Sequence, residues 1–117
     1  MRSVPDFGTL RAAWWAERSL RLARRRLRRE PLALVSVAPP PALPGSALRG
    51  VEAVLLRRDP SCLERSLILQ RWHAAHGVAH DIVIGVTAPA QFSAHAWLDG
   101  EPDAEAGPFF EIARLRP

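Results

Sequence analysis

The sequence predicts an α+β fold in which helices come first and a cysteine-bearing helix packs on a small antiparallel sheet. Three observations carry this. Residues 9–29 repeat apolar side chains at spacings of three and four, the period of one helix face. Ser61 and Glu64 have the S-x-x-E spacing of a capping box just before the apolar residues Leu63, Leu67 and Ile68. Residues 81–86 are rich in β-branched side chains, and residues 92–98 alternate, as strands do.

In the first helix, Thr9 is the expected N-cap, and Ala16, Leu20, Ala23 and Leu27 form the stripe, which Trp14 extends. Pro31 ends it. Residues 38–46, with four prolines and a glycine, read as a linker or an ordered extended connection. A second amphipathic helix spans 47–58, with Leu48, Val51, Val54 and Leu55 on one face, and Asp59-Pro60 breaks it. The capped helix should begin at 61 and run to about His76, where Gly77 can adopt the left-handed conformation that ends many helices. Asp99-Gly100 is a turn signal. The tail 109–115 fits either a strand or a short helix. The expected organisation is an N-terminal segment, 1–46, with the Arg-rich helix and the prolines, followed by a core, 47–117, the two forming one compact domain.

With 117 residues, 48% of them hydrophobic, the chain can bury one core. No apolar run approaches the ~18 residues needed to span a bilayer, because 31–44 is interrupted by five prolines and a serine. Residues 1–29 grow more basic along their length, unlike a secretory signal, so the cytoplasm is the expected compartment. All sixteen basic residues are Arg, which suits the codon usage of a GC-rich bacterial genome. Seven of them lie within the twelve residues 18–29 and concentrate the net charge of +4.

A single cysteine, Cys62, excludes an intrachain disulfide and leaves either a small buried apolar residue or a reactive thiol. The capping box puts it at the first helical position, where unpaired N–H groups and the helix dipole favour an anion. Thiols in such places are nucleophilic, whereas structural cysteines sit more often in helix interiors or core strands. A base is then required. His73 and His76 share the helix of Cys62 but lie ~15 to 20 Å away at 1.5 Å per residue. A metal set from His73, His76 and His80 lacks a second cysteine or an obvious carboxylate partner, so neither metal nor cofactor is expected. His95 lies inside the strand pattern 92–98, and a sheet packed on the cysteine helix could hold its ring at the helix N-terminus. The bland alternative is a satisfied strand histidine.

Cys62-Leu-Glu-Arg-Ser-Leu67, then Gly77 with Ile82-Val-Ile-Gly-Val86, then Ala94-His-Ala-Trp-Leu98, in this order and spacing, resembles the lasso-peptide leader peptidases of the transglutaminase-like cysteine protease superfamily. The likeness covers about residues 59–115. It implies a papain/transglutaminase-like core in which Cys62 is the nucleophile, His95 the base, and an acid shortly after the histidine orients the imidazole. The turn after Trp97 is shorter than is usual in the family, leaving Asp99, Glu101, Asp103 and Glu105. Asp103 is the first choice and Glu105 the second, since Asp99 and Glu101 belong to or adjoin the turn.

The implied activity is hydrolysis of the peptide bond between leader and core in a ribosomally made precursor. The implied partners are that leader peptide, a separate small leader-recognition protein and a macrolactam-forming cyclase, for which this chain has no room. Acyl transfer to an amine, as in true transglutaminases, is the other enzymatic reading. A non-enzymatic reading uses the arginines of 18–29 on nucleic acid phosphates; a solvated helix face is favoured over it, because no recognition motif accompanies them, and nucleic acid is not expected as a partner. The same face suits the acidic surface of a partner protein, or weak association with anionic lipid.

Overall fold

A computed structural model describes residues 6–87, 94–101 and 110–117, and the chain divides into two compact units, Met1–Pro60 and Ser61–Pro117. The described residues form an α+β fold with three α-helices followed by a three-stranded antiparallel sheet.

The first unit is helical. Helix α1 spans Phe7–Arg29, and its N-cap is Asp6, whose carboxylate accepts the Thr9 N–H at 2.7 Å. The start therefore lies three residues before the expected Thr9, because Asp6 is a strong cap whose side chain reaches the third helical N–H. The buried face holds Ala12, Trp15, Ala16, Ser19, Leu20 and Ala23, and Trp15 Nε1 donates to the Ala38 carbonyl at 3.0 Å. Trp14 does not extend that stripe and is 64% exposed. At 3.6 residues per turn it lies about 200° from Ala16, on the opposite face. Helix α2, Leu48–Arg58, follows a short 3-10 turn, Gly45–Ala47, and buries Val51, Val54 and Leu55 as expected. It approaches α1 through Gly50, where an added Cβ would fall 2.2 Å from the Thr9 carbonyl oxygen. Only a residue without a side chain fits there. Glu17 of α1 pairs with Arg57 and Arg58 of α2, and the Arg58 hydrogen bond holds its carboxyl below the ordinary range.

The second unit carries helix α3, Cys62–Ala75, on the sheet formed by β1, Ile82–Val86, β2, Ala94–Leu98, and β3, Phe110–Leu115. The strand order is β2-β1-β3, so β2 lies at an edge of the described sheet. The capping box is formed as expected: Glu64 N–H donates to Ser61 Oγ at 3.2 Å and Ser61 N–H to Glu64 Oε1 at 2.9 Å. At the other end, Gly77 takes φ +82°, its N–H bonds to the Ala74 carbonyl, and Val78 N–H bonds to the His73 carbonyl. That pair of bonds is a Schellman motif, which turns the chain back toward β1. Leu67, Ile68 and Trp72 of α3 are buried, as are Ile82, Val83, Ala96 and Leu98 of the sheet.

The tail is a strand. Opposite Ile84 and Gly85, β3 presents Ala113 and Glu111, so Ile112 is the extra residue of a bulge. Gln70, buried in α3, donates from Nε2 to the carbonyls of His80 and Leu115, fixing the turn after α3 and the end of β3 together. Arg114 ties the strand ends, bonding Asp99 at 2.7 Å, Asp81 at 3.3 Å and Glu111.

Candidate active site at the start of α3

The local rules that start α3 also place the sulfur. With Ser61 as N-cap, Cys62 is the first helical residue, and the box consumes the N–H groups of Ser61 and Glu64 while Arg65 N–H begins the ladder on the Ser61 carbonyl. The N–H groups of Cys62 and Leu63 take no hydrogen bond among the described residues, as the geometry of a helix start requires. Cys62 is half-buried, and its Sγ accepts the backbone N–H of Ala96 at 3.3 Å. That N–H fixes where the sulfur sits, beside β2 and one residue from His95.

His95 pairs across the sheet with Gly85 of β1, and its ring stacks on that of Trp97, with centroids 5.8 Å apart and planes 22° apart. Strand alternation puts His95 and Trp97 on one face of β2, with Ala96 and Leu98 on the other. The stacked indole restricts the half-buried imidazole. Thus the helix start, the sulfur and the β2 backbone beside His95 come together. Asp103 and Glu105 lie outside the described residues. Of the other acids weighed from the sequence, Asp99 is held by Arg114, and Glu101 Oε1 lies 3.2 Å from His73 Nε2.

That last contact is one the sequence did not disclose. His73, His80 and Glu101 gather at the C-terminal end of α3, about 16 Å along the axis from Cys62 at 1.5 Å per residue. Burial pushes the His73 imidazole below its ordinary value, outweighing the opposing pull of Glu101. His76 stands apart, its Nδ1 2.8 Å from the Trp72 carbonyl and its ring against the Trp72 indole. The cluster depends on the reversal at Gly77 and the turn at Gly100, which bring His80 and Glu101 back to the helix and which no short sequence spacing encodes.

On the exposed side of α1, Phe7, Leu10, Trp14 and Leu22 alternate with Arg11 and Arg18, whose guanidinium groups lie over the Phe7 and Trp14 rings at 5.9 and 5.5 Å. The result is one apolar and basic surface rather than a purely charged one. No helix among the described residues is long and apolar enough to cross a membrane.

Comparison with known proteins agrees with the fold. No curated protein and no solved structure matches the chain. A family model described as the transglutaminase-like superfamily matches residues 7–107, which include both Cys62 and His95. Members of that superfamily are typically cysteine-based enzymes of the protease or acyl-transfer type. A match over most of its length, on an α+β fold of this kind, means that the chain belongs to the transglutaminase-like superfamily.

Proposed function

We propose that the chain is a cysteine peptidase that removes the leader from a ribosomally made lasso-peptide precursor, with Cys62 as nucleophile and His95 as acid and base. The observation that carries this reading is the seat of Cys62: a helix start inside a transglutaminase-like domain, with Sγ bonded to the backbone next to His95. The order of the cysteine, Gly-Val and His-Ala-Trp blocks supports the leader-peptidase assignment within the superfamily. In the reaction, the Cys62 thiolate attacks the carbonyl at the leader–core junction, forming a C–S bond. The uncommitted N–H groups of Cys62 and Leu63 receive the negative oxygen. As the tetrahedral intermediate collapses, the C–N bond breaks and imidazolium His95 gives its proton to the departing amine of the core. Water, deprotonated by His95, then cleaves the thioester, releasing the leader carboxylate and restoring the thiol. Asp103, or Glu105 in its place, orients the imidazole.

Within this reading, a leader-recognition protein brings the precursor and an ATP-dependent cyclase consumes the freed core amine. The α1 surface fits such a partner, since a protein with an acidic rim around an apolar patch would match Arg11 and Arg18 beside Phe7, Leu10 and Trp14. The reaction is assumed to be cytoplasmic, and neither nucleic acid nor lipid is required. The same sulfur could pass the acyl group to an amine instead of water. Mass spectrometry of a precursor incubated with the chain and the leader-recognition protein distinguishes the outcomes: two fragments support hydrolysis, a cross-linked product supports acyl transfer, and an unchanged precursor contradicts both.

A further inference from the structure

We propose that His73, His80 and Glu101 form a binding site for one divalent transition-metal ion of the zinc type, at the opposite end of α3 from Cys62. One ligand atom from each of the three lies within 4.8 Å of the others. His73 Nε2 and Glu101 Oε1 are 3.2 Å apart. Two ligands held at 2.0 to 2.2 Å by a tetrahedral ion are separated by roughly 3.4 Å, so this edge is already at coordination spacing, and the two edges to His80, each within 4.8 Å, close with shifts of at most about 1.4 Å. The two imidazoles meet edge to face at 5.3 Å and 82°, close enough for both to reach a common point.

The second observation concerns His80 itself. Its Nδ1 lies 2.8 Å from the Asp99 carbonyl oxygen, which can only accept, so Nδ1 carries the proton and the lone pair is left on Nε2. An imidazole that donates its other N–H to a carbonyl is the usual condition of a metal-bound histidine, because the bond fixes both tautomer and ring direction. The scaffold is fixed as well. His73 is set by α3, His80 by the Gln70 bond to its carbonyl, and Glu101 by the turn through Gly100, at φ +92°. A Cβ on Gly100 would lie 3.4 Å from His80 Nδ1, so the turn runs in van der Waals reach of the ring. Two histidines and one carboxylate leave a fourth tetrahedral position for water. Because the set is nitrogen and oxygen only, it selects zinc, cobalt or nickel over calcium or magnesium.

The test is a titration of metal-stripped protein with Zn²⁺ and, for its visible spectrum, Co²⁺. The proposal expects one equivalent bound, a rise in melting temperature, and a cobalt spectrum without sulfur ligation. Glu101→Gln and His80→Gln should each weaken binding at least tenfold, and Cys62→Ala should leave it unchanged. Far-UV circular dichroism of the metal-free variants confirms that they fold; should one not, the other decides. No saturable binding by the unmodified chain overturns the proposal, as does equal affinity in the glutamine variants. Loss of binding in Cys62→Ala would also overturn it, by moving the ion to the thiol.

Discussion

Helices α1 and α3 start by the same rule and end up with different tasks. Each is preceded by a short polar side chain that accepts the N–H of the third helical residue, Asp6 for α1 and Ser61 for α3. At the first helical position, α1 places Phe7, which is 76% exposed, and α3 places Cys62, whose sulfur is bonded to the edge of β2. Along its length α1 carries paired charges and a glycine-mediated crossing with α2, features that hold a helical unit together. In α3 the polar groups with chemical potential lie at its two ends. A helix start is therefore only a favourable place for an anion; what makes it a candidate site is the nucleophile put there and the strand that packs beside it.

Changes in the two units should accordingly give different kinds of loss. The largest effect short of removing the sulfur belongs to His95→Ala, expected to lower the cleavage rate at least a hundredfold, since positioned proton transfer is worth about 10²–10⁴ in rate. Melting temperature should move little, because the ring is only half-buried. Asp103→Asn follows, with at least a tenfold fall in turnover and little change in substrate affinity, larger than that of Glu105→Gln. The reverse order would shift the orienting acid by two residues, and no effect from either would leave a cysteine–histidine dyad.

In the first unit the losses are of stability. Gly50→Ala should destabilise by about 1–3 kcal/mol in denaturant unfolding, because the new methyl collides with the Thr9 carbonyl and the two helices must part. The smallest effect is one of pH. The Arg58 bond keeps Glu17 ionised below its ordinary value of 4.5, so its contribution is present above that pH and fades as the pH falls through the lowered value. Glu17→Gln should flatten the acid side of the stability profile below about pH 4.5 and change the slope little above it.

The parts of the molecule legible in the sequence were those that local chemistry fixes. Ser61 and Glu64 satisfy each other's backbone within one turn, and Gly77 ends a helix by its own conformation, so the position of Cys62 could be read directly. Trp14 and Trp15 were harder, because adjacent aromatics differ by about 100° and only the partner face decides which is buried. The tail resisted because its bulge at Ile112 breaks the alternation that marks a strand. His73 and Glu101 are far apart in sequence, and their meeting depends on two turns and a sheet register that no short spacing encodes.

Whether the sulfur beside β2 is the nucleophile is decided by the rate of leader removal by Cys62→Ala against the unmodified chain. A precursor peptide and the leader-recognition protein are present in both reactions, and cleavage is followed by mass spectrometry. No detectable cut by the variant is expected, while its circular dichroism and melting temperature stay close to those of the unmodified protein. Cleavage by Cys62→Ala within tenfold of the unmodified rate would contradict it.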